Sequence, residues 1–303
     1  MLVTGTELGL GPGALLGPVR RGTRAVLEFG DLFFEVDPEV GGRVTSARVA
    51  GRELLVGPTV HPQNYGSTFW TSPQNGPFGW GWPPVTAIDS VPFALRELSL
   101  GFEVEGPAVS APELPAIDGL SVRKRFVANP ERRSLEITYS IANRSQRAKR
   151  VAPWEITRVG PFGLSFYASD EAPTGELPLP TTREAGCVWF QHSGQAPPHG
   201  KLFGDGSGWL AHLTPERVLL VRAFDEPRRD LVAPNEAEIE IYSSPQPTPA
   251  EAYVEIENQG EFREIAAGSS FSWRSIWYLR ALPPALPLAP AASLVDLVQQ
   301  TLG

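Results

Sequence analysis

Cysteine occurs once in the 303 residues, at Cys187. A single cysteine leaves no intramolecular disulfide framework and no cysteine-based metal cluster, which suits a reducing compartment. The four histidines, His61, His192, His199 and His212, show no metal-ligand spacing. The pair in HSGQAPPHG is too loop-like for a zinc hydrolase helix, so neither a metal nor a cofactor is expected. Basic residues are outnumbered, 26 Lys and Arg against 34 Asp and Glu. That balance argues against nucleic acid as a partner, because such binding needs basic surface to displace counterions. No apolar run is long enough to span a bilayer. The ALLGPV segment near the start has no Lys or Arg ahead of it, follows Glu7 and is broken by Gly and Pro, which is unlike a signal peptide. A cytoplasmic chain without a membrane partner is the expectation. Nucleophile elbows, phosphate-cradling glycine loops and dinucleotide fingerprints in a strand–turn–helix context are also missing.

Helical periodicity is scarce as well. In its place stand short apolar alternations bounded by Gly, Pro, Asn or Asp, such as AVLEFGDLFFEVDP and RVTSARVAGRELL, in a chain with 30 Gly and 31 Pro. Strands at this spacing predict an antiparallel all-β sandwich. Two hairpins are legible, residues 120–128 with 134–142 around Asn129-Pro130, and 208–213 with 218–224 around Thr214-Pro215-Glu216. Strands continue without a linker-like break, so one domain over residues 1–285 is expected. Proline-rich stretches at 106–116 and 171–181 read as loops over a sheet face. Residues 286–303 read as a proline-stiffened connector and a short helix with Leu294, Leu297, Val298 and Leu302 on one face.

Four segments carry candidate site residues. NYGSTFWTSPQNGPFGWGWPP, residues 64–84, packs Trp70, Trp80 and Trp82 among Gly and Pro with no strand or helix period. Aromatic loops on a β-scaffold suit carbohydrate, whose apolar C–H faces lie on indole, or else they cap the sandwich as a satellite core. In RVAPWEITRVG, residues 150–160, alternation sets Trp154, Ile156 and Arg158 on one face and Glu155 and Thr157 on the other. Glu155 is a candidate site acid, and Arg158 is either a substrate contact or half of a structural ion pair. QHSGQAPPHGKLFGDGSGW, residues 191–209, reads as one long loop offering His192, His199, Lys201 and Asp205. YVEIENQG, residues 253–260, reads as a strand with Glu255 and Glu257 on one face, before a turn at Asn258-Gln259-Gly260. Such a pair is either a solvent-facing edge or part of a pocket.

Taken in order, VDPEVGGRVTSARVAGRELL (36–55) and VEIENQGEFREIAAGSSFSWRSIWYL (254–279) resemble the opening and closing strands of galactose-mutarotase-like proteins, with STFWTSPQ, WGWPP, APWEITRV and KLFGDGSGWLAHL between them. The resemblance covers about residues 25–282. It implies a twisted antiparallel β-supersandwich with a sugar-binding face, Glu257 at the position of the mutarotase general base, and Glu255 as a second polar contact. Mutarotases carry a histidine where this chain has Pro153-Trp154-Glu155. If the chain is catalytic, the acid that ring opening also needs must come from Glu155, His61 or His192. The expectation is therefore a carbohydrate-binding protein, monomer or homodimer, with aldose-1-epimerase-type isomerisation at the anomeric carbon as its possible reaction. The alternatives are a non-catalytic sugar-binding protein, a polysaccharide lyase or glycosidase accessory module recruiting Tyr65, Tyr167 or His192, and an assembly protein using the aromatic patch as an interface.

Overall fold

A computed structural model describes residues 15–175, 179–193, 200–244, 248 and 250–303. Its strands make two antiparallel sheets. The first runs Leu15–Arg21, Arg24–Phe29, Leu32–Asp37, Arg43–Val49, Ser67–Ser72, Lys149–Val159, Val254–Gln259, Ile239–Ser243 and Gly200–Gly204, with Arg52–Glu53 and Arg263–Ile265 at its margins. The second runs Thr181–Glu184, Cys187–Ser193, Phe162–Ala168, Trp209–Leu213, Val218–Phe224, Ser270–Ala281, Ser134–Asn143, Leu120–Asn129, Gly101–Glu105 and Ala94–Leu98. Both hairpins legible in the sequence are present, with Ser134 opposite Asn129 and Leu213 opposite Leu219.

The sheets pack face to face through apolar alternation, because every second residue of each strand must leave water. Phe69 of the first sheet stacks on Tyr139 of the second at 4.3 Å, and Tyr139 stacks in turn on Trp273 at 5.8 Å. The outer face of the second sheet is covered by the helix Ala292–Leu302, which buries Leu294 and Val298 against Phe166, Trp189, Trp209 and Tyr278. The helix thus docks on its own chain. No described helix is long and apolar enough to cross a membrane.

The Gly41-Gly42 pair turns the chain with φ of 68° and 60°, where a β-carbon is costly. A β-carbon on Gly41 would meet the Asp89 carbonyl oxygen at 2.1 Å. Lys124 reaches across from the second sheet, donating to the carbonyls of Gly41 at 2.6 Å and Gly42 at 3.3 Å. Burial lowers its ammonium pKa to about 7.

A polar chain runs through the interior. The Ser165 hydroxyl bonds His192 Nε2 at 2.9 Å and His212 Nδ1 at 3.0 Å. Burial lowers His192 to about 3, and burial, His192 and Arg222 hold His212 well below the usual range. Both imidazoles fold neutral, whereas the unfolded chain takes up their protons near pH 6.5. Their contribution is full above that pH and is lost as pH falls, at about 1.4 kcal/mol per pH unit for each histidine. Urea unfolding between pH 7 and pH 5 should show a shallower acid loss in His212→Gln than in the wild type. Equal slopes would contradict the neutral assignment.

Candidate functional site

Register sets the site. Ile156, Glu257, Glu240 and Phe203 stand abreast on four neighbouring strands, and so do Arg158, Glu255, Tyr242 and Lys201. Trp70, Trp154 and Gln259 form the row on the other side. Glu155 and Asn258, one residue out of phase, point at the second sheet, so these rows occupy the face turned away from it.

Glu257 is 1 % exposed, and its Oε2 accepts from the Trp154 indole N–H at 2.8 Å and from Lys201 Nζ at 3.3 Å. Lys201 Nζ also meets Glu240 Oε2 at 2.5 Å and lies 5.0 Å from the Trp154 ring centre. Glu240 Oε1 accepts from Gln259 Nε2 at 2.9 Å and from the Ala237 N–H at 2.8 Å. Two buried carboxyls therefore share one ammonium that is a quarter exposed. Burial pushes Glu257 up to about 8 and Glu240 up to about 7; Lys201 opposes both shifts, while Glu240 and Glu255 add to the rise of Glu257 and Glu236 adds to that of Glu240. Burial alone would lower Lys201, but Glu240 and Glu257 outweigh it and hold the ammonium above its ordinary pKa. Near neutral pH the group can both hold and release a proton.

A cavity of about 940 Å³ opens beside Lys201, bordered by Asn75, Glu171, Phe203, Asp205, Arg229, Glu236, Glu238 and Tyr242 among others. Arg229 bonds Asp205 at 2.8 Å and Glu171 at 2.7 Å. Glu236 receives the Gln74 N–H at 2.9 Å, which ties the aromatic segment to the cavity rim. Glu238 accepts from Gly206 N and Gly208 N, both at 2.9 Å, and burial, outweighing those two bonds, raises it to about 7.

Farther along the same face, Arg158 is fully buried and donates to Glu255 at 2.8 Å and to Thr68 at 2.8 Å. His61 packs edge-on to Tyr253 at 5.4 Å. Its Nδ1 accepts from Asn64 N at 2.8 Å, which leaves the proton of the neutral ring on Nε2. Burial and then Arg158 lower its pKa, partly offset by Glu255. Among the described residues no group of His, Cys, Asp or Glu is arranged to hold a metal ion.

The structure joins Glu257 to Lys201, sets Asp205 with Lys201 on the cavity wall, and places Glu255 and Arg158 in the same row as Lys201. Glu155 is separated from them. It lies between the sheets at 0 % exposure, accepting from Tyr139 at 2.5 Å, Ser275 at 2.8 Å, Trp277 at 3.1 Å and Asn258 at 3.3 Å, with Arg222 at 3.6 Å. It cannot meet a ligand on the face that carries Glu257. His192 is likewise a core residue, because residues 187–193 form a strand rather than the start of a loop, and residues 200–204 form another. His199 lies outside the described residues. Trp70 and Trp80 are buried and bond Asp89 and the Thr71 carbonyl, whereas Trp82 is 61 % exposed with its ring 6.3 Å from that of Trp70. Of the three tryptophans in the aromatic segment, only Trp82 is an open platform. Tyr65 stacks with Arg43 and Tyr167 is buried, so the residues a lyase would recruit are not assembled.

Glu240 and Glu236 were not anticipated. The signal was present: Glu238-Ile239-Glu240-Ile241 repeats the alternation of Glu255-Ile256-Glu257 on the adjacent strand.

The two large antiparallel sheets have the fold of solved galactose mutarotase-like proteins. Solved structures of that fold superpose over most of the chain. A galactose mutarotase-like protein from Lactobacillus casei has a TM-score of 0.61 at 11% identity, covering 85% of this chain and 100% of that one. A galactose mutarotase related enzyme from Lactobacillus acidophilus has a TM-score of 0.60 at 10% identity, covering 88% and 100%. A galactose mutarotase-like protein from Clostridium acetobutylicum has a TM-score of 0.57 at 11% identity, covering 89% and 99%. No protein-family model matches the sequence, and no curated protein matches it.

Proposed function

We propose that this chain binds a carbohydrate in the cavity beside Lys201. The observation that carries the reading is the 940 Å³ cavity itself, on the face that bears Glu257, edged by carboxylates, a guanidinium and amides that match sugar hydroxyls. Arg229, Asp205 and Glu236 act as hydroxyl contacts. Lys201 is the contact nearest the buried acid pair, and Trp82, exposed beside Trp70 and outside the cavity lining, offers a separate stacking surface. Glu257, beneath the Lys201 ammonium, orients Lys201 rather than touching the sugar, so binding without turnover is the reading the geometry favours.

Anomeric isomerisation is the second reading. It is favoured by the raised pKa of Glu257 and by His61, whose Nε2–H on the same face could serve as the acid. Tryptophan fluorescence titrated over a panel of mono- and disaccharides, with NMR anomer exchange on α-D-glucose and α-D-galactose, separates the two. Saturable fluorescence change without accelerated exchange is the expected result. Acceleration lost about 10²–10⁴-fold in Glu257→Gln would establish the isomerase instead. A panel without any binding would overturn both.

A further inference from the structure

We propose that the cavity selects a sugar carrying an ammonium group, an amino sugar, over neutral sugars, sugar phosphates and uronates; this rests on the carbohydrate reading above. The inference comes from where the cations are already committed. Among the described residues four carboxyl side chains line the cavity, Glu171, Asp205, Glu236 and Glu238, against two cations, Lys201 and Arg229. Arg229 is held by Glu171 and Asp205. Lys201 is held by Glu240 and Glu257, which lie behind the wall. Among the described residues neither cation forms a close ion pair with Glu236 or Glu238, although Lys201 lies within the field of Glu236. Glu238 is satisfied by two backbone N–H groups of the wall. Glu236 accepts from Gln74 N at 2.9 Å and from the Gln259 amide at 3.5 Å, and it lies within hydrogen-bond reach of the Glu240 carboxyl, a crowding of acids that a ligand cation would relieve.

Two buried polar atoms beside this wall also lack partners. Gln259 is 1 % exposed, and its amide N–H group is directed at Glu240 and Glu236 while its carbonyl oxygen has no donor. The Tyr167 side chain is 1 % exposed with an unpartnered hydroxyl, and it reaches the cavity wall so closely that a β-carbon on Gly204 would come within 2.1 Å of it. The charges acting on that hydroxyl are Glu238, Arg183 and Asp205, two of them cavity carboxylates. A ligand phosphate or carboxylate would add negative charge to a lining in which carboxyls already outnumber cations among the described residues. A ligand ammonium would supply the missing cation and donate to Glu236.

When no such cation is bound, protons do the balancing, since Glu238, Glu240 and Glu257 hold theirs up to about 7, 7 and 8. An ammonium ligand therefore releases protons as it binds, and an uncharged ligand of the same ring does not. The test is isothermal titration calorimetry at about pH 6.5, where D-glucosamine is protonated, in two buffers of different ionisation enthalpy. D-Glucosamine is compared with D-glucose, N-acetyl-D-glucosamine, D-glucose 6-phosphate and D-glucuronate. The expected result is about tenfold tighter binding of glucosamine than glucose, the effect of one favourable charge pair at a wet protein surface. Proton release should accompany glucosamine alone, and the two anionic sugars should bind more weakly than glucose. Glu236→Gln should cut the glucosamine-to-glucose ratio at least about threefold. If neutral or anionic sugars bind as tightly as glucosamine, the inference is overturned and the carbohydrate reading stands. If no sugar binds, both fall.

Discussion

Glu155→Ala is expected to cost about 3–5 kcal/mol of folding stability, the usual result of removing one partner from a buried ion pair. The carboxylate is the acceptor for Tyr139, Ser275, Trp277 and Asn258 and the counter-charge for Arg222, whose guanidinium is fully buried. Without it, four donors and one cation are left in a dry interior. Arg222 keeps one further bond, to Thr157 at 2.9 Å, which is too little to solvate it. Burial already lowers its pKa, and Glu155 is the charge that most opposes that shift. Glu155→Gln should cost less, because the amide oxygen still accepts, and the double change Glu155→Gln/Arg222→Met should recover part of the loss by removing the stranded charge. Urea unfolding at pH 7 measures all three. A loss below about 1 kcal/mol in Glu155→Ala would show that the network carries little. Sugar binding per folded molecule should survive in Glu155→Gln, since this residue faces away from the cavity.

That contrast marks how far the sequence could be read. Alternation within Lys149–Val159 already put Glu155 on the opposite face from Trp154 and Arg158, and alternation within Val254–Gln259 put Glu255 with Glu257. The register between the two strands is not written in either one. It sets Glu257 opposite Ile156 and Asn258 opposite Glu155, and so sends the two acids to opposite sides of the sheet. Arg158 was legible as a charge needing a partner, and the partner is Glu255 from the neighbouring strand. The strand Ser67–Ser72 was hidden for another reason. All six of its residues are buried, so its two faces do not differ in polarity and no period of two appears. The apparent turn at Asn258-Gln259 belongs to the strand, because both amides are recruited by buried acids, Glu155 and Glu240. Local propensity favoured a turn there, and the partners across the sheet outweighed it.

Lys201→Met should produce the second large effect, and its size should depend on pH. In the wild type Glu240 and Glu257 keep their protons up to about 7 and 8 in the fold, against about 4.3 in the unfolded chain. Above about pH 5 the folded state therefore binds more protons than the unfolded one, and stability declines as pH rises until both carboxyls ionise beside Lys201. The ammonium allows that ionisation and ends the decline. With methionine in its place, the two carboxyls face each other with no cation, their pKa values rise further, and the decline continues at up to about 1.4 kcal/mol per pH unit for each retained proton. At pH 5 both acids are neutral in either protein, so the substitution should cost little there. By about pH 9 the gap should reach roughly 3 kcal/mol. Urea midpoints for the two proteins at pH 5, 7 and 9 measure the gap directly. A gap that widens with pH identifies Lys201 as the counter-ion of a proton-sharing acid pair, and a gap of constant size would reduce it to a packing residue and remove the electrostatic basis of the site.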